Sequence, residues 1–230
     1  MPPYVSILVP AYNEERSIEA VLRKVWSTPV DKELIVIDDG STDATPAILA
    51  RLRQELPIQV ITHPTNLGKG HAIRSGLSRS RGEIVLLQDA DFECDPRHYP
   101  DLLTPFAERH ATVVYGSRFL DGRHVSAGWH RLANRVITSF VNVLFGASLT
   151  DAETGFKLFR REVATSLSLR ATSFEFEVEF TCKVLRQGHA ILEVPVAYAR
   201  RTYAEGKKIT WKDGVIALWV ILRCRLDPRY

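Results

Sequence analysis

The chain has 230 residues, with 30 Lys and Arg against 27 Asp and Glu, a net charge of +3. That length suits one domain with a sizeable core, and so small a positive excess gives no reason to expect nucleic acid as a partner. Three widely spaced cysteines, Cys94, Cys182 and Cys224, make neither a disulfide framework nor a zinc pattern, and they suit a reducing compartment.

The first strand is predicted at once, over Tyr4 to Val9, stopped by Pro10, with no basic and apolar leader before it; no signal peptide is expected. A helix follows in which Ile18, Val21, Leu22 and Val25 recur at helical spacing, with Asn13 as N-cap and Glu14 and Glu15 placed to favour its first turn. Glu33 to Ile37 reads as a second buried strand ending in Asp38 and Asp39. Ile48, Leu49, Leu52 and Leu56 mark the next helix, with Pro46 in its first turn, and Ile58 to Ile61 a third strand. Strand and helix in alternation predict a right-handed, mostly parallel α/β sheet.

Asn66-Leu67-Gly68-Lys69-Gly70 opens a helix carrying Ala72, Ile73, Gly76 and Leu77. Two glycines flanking a lysine at a helix start let backbone N–H groups and one ammonium approach a phosphate, although a plain left-handed turn fits the piece equally well. The strand over residues 83–88 organises the rest. It is apolar enough to be buried on both faces, and its carboxyl end, where open α/β sheets bind ligands, carries Asp89, Asp91 and Glu93. If the chain stays extended there, the three acids share one side and ask for a hard divalent cation such as Mg²⁺ or Mn²⁺; the rival reading is a solvated turn running into Asp95-Pro96.

A helix from Tyr99 to Arg109 and a strand from Thr112 to Tyr115 come next, with Gly116-Ser117-Arg118 at the strand end. Residues 121–128 read as a loop. Trp129 to Phe145 reads as a helix whose side Leu132, Val136, Phe140, Val143 and Leu144 is too apolar to be left in water, so it packs on the sheet or touches a membrane or partner. Asp151 to Phe159 reads as a functional loop entering a short strand. A helix from Phe174 to Gln187 ends at Gly188, and Ala190 to Tyr198 is an edge strand broken by Pro195. The basic segment from Arg200 to Asp213 should be mobile. The terminal helix presents Trp211, Val215, Leu218, Trp219, Leu222 and Leu226 on one face, with Arg223, Arg225 and Arg229 near its end; it is read either as interfacial and amphipathic or as docked on the domain. Its longest apolar run, Val215 to Leu222, is eight residues, against the roughly 20 a bilayer span requires.

The blocks Val9 to Glu14, Ile37 to Asp43, Asn66 to Gly70 and Asp89-Ala90-Asp91 together resemble those of inverting nucleotide-sugar glycosyltransferases of the Rossmann-like GT-A fold. Asp151 to Phe159 and Arg200 to Trp211 resemble, less specifically, the polyprenyl-phosphate hexosyltransferases, the dolichol-phosphate mannose synthase family. The resemblance implies one GT-A domain over residues 1–230. Residues 1–120 would bind the nucleotide sugar, 121–200 the acceptor, and 201–230 would form the basic segment and amphipathic helix.

By the same resemblance, Pro10, Tyr12, Glu14, Asp39, Gly68, Lys69, Asp89 and Ala90 hold the donor, and Asp89 and Asp91 are the metal pair, with Asp91 favoured as direct ligand. Glu93 stands where mannose synthases often carry Gln; a carboxylate there still suits Mn²⁺ or Mg²⁺. Arg118, Arg131, Arg201 and Lys207 are implied for phosphates, and Asp91, Arg118 and Glu153 for catalysis. The implied reaction moves mannose from GDP-mannose to a polyprenyl phosphate, with inversion, at the cytoplasmic face of a membrane. The alternatives are a UDP-hexose donor, or a glycan or protein hydroxyl as acceptor. A dinucleotide oxidoreductase is disfavoured because no Gly-x-Gly-x-x-Gly follows the first strand, and a non-catalytic sugar-nucleotide or lipid binder is disfavoured by the intact Asp89, Asp91 and Arg118.

Overall fold

The computed structural model describes residues 4–120, 129–197, 211–227 and 230. Seven strands form one sheet: β1 (Val5–Ala11), β2 (Lys32–Asp38), β3 (Ile58–Thr62), β4 (Ile84–Leu87), β5 (Val113–Ser117), β6 (Lys157–Arg160) and β7 (Ile191–Pro195). Their order is β3-β2-β1-β4-β6-β5-β7. β1 runs parallel to β2 and β4, and β2 to β3. β6 is antiparallel to both its neighbours, β4 and β5, while β7 returns parallel to β5. Strand order reverses at β1, with β2 on one side and β4 on the other, so a crevice opens beyond the carboxyl ends of β1 and β4. The mostly parallel α/β sheet is as expected, and Pro195 ends an edge strand.

The helices are α1 (Ile18–Trp26), α2 (Thr45–Glu55), α3 (Lys69–Leu77), α4 (Tyr99–Glu108), α5 (Trp129–Phe145), α6 (Arg161–Ser166), α7 (Phe176–Arg186) and α8 (Trp211–Leu226). Alternate residues of each central strand feed opposite sides of the sheet. Val5, Ile7 and Val9 of β1 pack with Leu34, Val36 and Leu86 against α1, α2 and α4. Leu8, Ile35, Ile37, Val85 and Leu87 pack against α3, α6 and α7. A third cluster joins α5, α7 and α8 through Ile137, Val141, Val178, Cys182, Ala217, Val220, Ile221 and Cys224. All three cysteines are buried free thiols.

One local expectation needs correction. Asn13 does not cap α1, which starts only at Ile18; with φ +52 it belongs to the loop and bonds across to Thr42 instead. α8 carries apolar residues on two sides. Its docked side is Ala217, Val220, Ile221 and Cys224, while Val215, Ile216, Trp219, Leu222 and Leu226 stay exposed. α5 likewise buries Ile137 and Val141 and exposes Leu132, Val136 and Val143. Between the two helices runs a groove of about 730 Å³ lined by Leu132, Val136, Phe140, Val143, Leu218 and Leu222, with Arg135 and Ser139 at its wall. Among the described residues no helix is long and apolar enough to cross a membrane.

Candidate active site

The crevice is built first by the turn after β1 locking onto the turn after β2. Asp39 N–H donates to Ala11 O (2.8 Å), Asn13 N–H to Ser41 Oγ (3.0 Å), and Thr42 N–H to Asn13 Oδ1 (2.8 Å). Pro10 and Tyr12 lie half-buried on this wall. Glu14 is buried; its N–H donates to Thr45 Oγ1 (2.9 Å) and its carboxylate accepts from Ser17 Oγ (2.9 Å). Asp39 ties three segments together. Its carboxylate accepts from Leu67 N–H (3.0 Å) and Gly68 N–H (2.8 Å) and faces His63 Nδ1 at 2.6 Å, while His63 Nε2 meets Ser75 Oγ at 2.9 Å. Sequence reasoning missed His63 and Ser75, which carry no motif of their own.

The glycines beside Lys69 have a reason of their own. Gly68 has φ +94, and a Cβ on it would stand 2.3 Å from Thr172 O; a Cβ on Gly70 would stand 2.5 Å from Ala171 O. The backbone of residues 171–172 packs into that turn, and His71 N–H donates to Thr172 O (3.1 Å). The Lys69 ammonium lies 2.6 Å from Asp89 Oδ1 and 2.8 Å from Glu177 Oε1; the second contact is an ion pair without hydrogen-bond alignment. Burial works to lower the Lys69 pKa, but Asp89 and Glu177 overcome it and hold the ammonium well above its ordinary range.

Beyond β4 the chain leaves the extended conformation. Asp91 turns back to accept from Glu93 N–H (2.9 Å), so Asp89, Asp91 and Glu93 do not alternate on one side. Among the described residues no group of three or more His, Cys, Asp or Glu side chains is gathered to hold an ion. The expected three-acid set is therefore not formed. Asp89 and Asp91 remain as hard oxygen donors, and a set of one or two carboxylates suits Mg²⁺ or Mn²⁺ when substrate phosphates and water supply the remaining ligands. The loop is pinned from below by buried Gln88, whose Nε2 donates to Asp89 O (2.9 Å) and Cys94 O (3.0 Å) and whose Oε1 accepts from Tyr99 Oη (2.7 Å). Ala90 and Cys94 are buried beneath it, and burial, then Asp89 and Asp91, push the Cys94 thiol well above its usual range.

The opposite wall comes from β5 and the 150–156 loop. Arg118, at the end of β5, forks onto buried Asp151: Nε to Oδ2 at 2.6 Å and Nη2 to Oδ1 at 2.7 Å. Asn134 of α5 donates to the same carboxylate (2.9 Å), and Glu193 of β7 accepts from the N–H groups of Thr150 (2.8 Å) and Asp151 (3.0 Å). Gly155 brings this loop to the donor side, since a Cβ there would sit 2.3 Å from Asp89 Oδ2. Underneath, fully buried Lys157 donates to Thr154 O (2.6 Å), Ala152 O (3.2 Å) and Glu177 Oε2 (2.6 Å). Lys157 and Lys69 hold Glu177 below the ordinary carboxylate range although burial opposes them. Burial pushes Glu153 up to about 7, with Arg118 pulling it down and Asp151 adding to the rise.

The structure thus gathers Gly68, Lys69, Asp89, Ala90 and Asp91 on one side and Arg118, Asp151 and Glu153 on the other. Arg131 stands exposed near the start of α5, one turn before Asn134. Arg201 and Lys207 lie outside the described residues.

Residues 6–167 match the family described as Glycosyl transferase family 2. The chain belongs to that family. It is a glycosyltransferase. Among known proteins, it is 29% identical over 219 residues to the low-salt glycan biosynthesis hexosyltransferase Agl6 of Haloferax volcanii, covering 92% of this chain but only 51% of that protein. It is 28% identical over 235 residues to the polyprenol monophosphomannose synthase of Mycolicibacterium smegmatis, covering 96% of this chain and 88% of that one. It is also 28% identical over 243 residues to the undecaprenyl-phosphate mannosyltransferase of Micrococcus luteus, covering 96% and 98%. The fold is similar to that of glucosyl-3-phosphoglycerate synthase from Mycobacterium tuberculosis, solved with Mn²⁺, UDP and phosphoglyceric acid, at a TM-score of 0.75, 23% identity, and coverage of 98% of this chain and 80% of the other.

Proposed function

We propose that this glycosyltransferase moves mannose from GDP-mannose to a polyprenyl phosphate, with inversion, at a membrane surface. The substrate class rests on two relatives named for mannosyl transfer to or synthesis with polyprenols, each aligned over 96% of this chain. The observation that supports the site is the contact at Gly155, which sets the Lys69–Asp89 pair of one wall against the Asp151–Glu153 loop of the other. Donor diphosphate and acceptor are then held face to face, the arrangement an in-line displacement requires.

Asp91 and Asp89 would hold a divalent cation together with the donor's diphosphate. Bound there, such an ion supplies positive charge for the leaving group. The chain's own residues do the rest. The β1 and β2 turns, locked by Asp39 and Asn13, bind and orient the nucleoside. Arg118, fixed by Asp151, presents a guanidinium at the acceptor wall. Asp151 is committed to that fork and is not a base. A lipid phosphate arrives with an anionic oxygen and needs no proton removed. Glu153, its carboxyl pushed up by burial to about 7, is less ionised near neutrality than an ordinary carboxylate and repels such an acceptor less. The exposed apolar residues of α5 and α8 would face the bilayer.

The test is transfer to a short-chain polyprenyl phosphate with GDP-mannose, UDP-glucose and UDP-N-acetylglucosamine, with and without Mn²⁺. The proposal expects a lipid-linked mannose product that is Mn²⁺-dependent and lost in Asp91→Ala. Lipid-linked glucose would move the donor to UDP-hexose. Donor hydrolysis without any lipid product would move the acceptor to a hydroxyl.

A further inference from the structure

Four charges lie in one row between donor and acceptor walls: Asp89, Lys69, Glu177 and Lys157, linked by contacts of 2.6, 2.8 and 2.6 Å. The row is neutral as it stands. Lys69 lies deeper than Asp89, its side chain 15% exposed against 25%. Of the pair, the carboxylate therefore presents more of its surface to the crevice, with the ammonium behind it. A lysine meant to grip phosphate directly would be the outermost group, turned to solvent; here its ammonium is paired between two carboxylates.

We propose that Lys69 is a built-in counter-ion for Asp89, which lets the donor's diphosphate approach that carboxylate, and that Glu177 keeps the ammonium in place when Asp89 turns to the donor complex. This rests on the reading of residues 89–91 as the diphosphate site. Without Lys69, Asp89 would confront a diphosphate with an uncompensated like charge. Without Glu177, an Asp89 drawn away would strand a buried ammonium, which is costly. Glu177 also holds Lys157, whose ammonium fixes the carbonyls of Ala152 and Thr154, so the counter-ion and the acceptor loop share one anchor.

The experiment measures GDP and UDP binding calorimetrically in EDTA for wild type, Lys69→Met, Asp89→Asn and the double variant. Lys69→Met should weaken the nucleotide that wild type prefers by about tenfold or more, the scale of one uncompensated charge near a diphosphate in a protein cleft. Removing Asp89 as well should return binding to within about threefold of wild type, a coupling that independent roles do not give. Lys69→Arg, which keeps the charge, should bind like wild type. A double variant as weak as Lys69→Met, or an unaffected Lys69→Met, overturns the proposal, as does a wild type that binds neither nucleotide in EDTA. Should Lys69→Met fail to fold, Asp89→Asn against the double variant decides: equal affinities support the counter-ion, a further tenfold loss shows a direct phosphate grip. A parallel series in Mn²⁺ with Asp91→Ala tests the cation reading by itself, since loss of Mn²⁺ dependence there leaves the EDTA outcomes standing.

Discussion

Arg118 and Asp151 meet as two forks, with Nε and Nη2 of the guanidinium on the two oxygens of a fully buried carboxylate and the Arg118 backbone N–H adding a third bond at 3.1 Å. Such a pair fixes the plane of the guanidinium, which an ammonium cannot reproduce. Arg118→Lys should fold and lose roughly 10- to 100-fold in kcat/KM, the scale of a misplaced charge at a reacting centre. Asp151→Ala should instead lower stability by about 3–5 kcal/mol in denaturant unfolding, since it removes the buried carboxylate that accepts from the Arg118 guanidinium and from Asn134. Wild-type turnover in Arg118→Lys would reduce the pair to a scaffold.

Glu153 gives a pH signature with a definite sign. Its carboxyl has an ordinary value of 4.5 and is pushed by burial to about 7 in the fold. The stability gained by keeping it protonated is complete below pH 4.5 and is lost as the pH rises through about 7. Glu153→Gln removes that loss, so the melting temperature of the variant relative to wild type should climb between these two pH values and level off above them. Transfer to a polyprenyl phosphate should stay within about threefold of wild type, because an ionised acceptor needs no general base. A large loss of turnover would place Glu153 in proton transfer and point to a hydroxyl acceptor.

The strands β1 to β4 and their helices were legible because each buried run is short, apolar and bounded by turn residues, and the acids and glycines of the crevice stood at the strand ends where ligands bind. What was not legible came from elements far apart in sequence. Lys157 sits in a four-residue strand and bonds locally only to the carbonyls of Ala152 and Thr154; the carboxylate that pairs its buried ammonium, Glu177, arrives 20 residues later from α7. β6 inserts antiparallel between β4 and β5, a pairing that no local pattern encodes. The supposed alternation of Asp89, Asp91 and Glu93 failed because β4 ends at Leu87, and Gln88, fastened to Tyr99, folds the acid loop over itself. The apolar faces of α5 and α8 were legible in the sequence, but which side docks was not, because both helices are apolar on more than one side.

Glycine at 68 is required by both backbone and neighbour. With φ +94 and Thr172 O at 2.3 Å from a Cβ, Gly68→Ala should cost well over the roughly 1 kcal/mol typical of a point change and lower the melting temperature by several degrees. Gly214 offers the contrast. It lies inside α8 with nothing within 4 Å of a Cβ, so Gly214→Ala should stabilise by about 0.5–1 kcal/mol. Thermal unfolding of the two variants should therefore move in opposite directions, and a harmless Gly68→Ala would mean the 171–172 segment does not pack on that turn in solution.

Trp219 is 55% exposed and Leu222 39%, on the side of α8 turned away from the core. Arg223 lies over the Trp219 ring at 4.8 Å, and Arg135 stands beside Leu222 in the neighbouring groove. A tryptophan and leucines bordered by arginines suit the interface of an anionic bilayer, where ring and aliphatic side chains enter the headgroup boundary and the guanidinium groups meet lipid phosphates. Wild-type protein should sediment with vesicles containing anionic phospholipid and be released in part by salt. Trp219→Ser with Leu222→Ser should lose most of that binding while keeping the wild-type melting temperature, since neither side chain packs in the core. Water-soluble, short-chain acceptor should still be glycosylated by the variant at close to the wild-type rate, whereas acceptor embedded in vesicles should not. Equal sedimentation of the two proteins would remove this face of α8 from the bilayer.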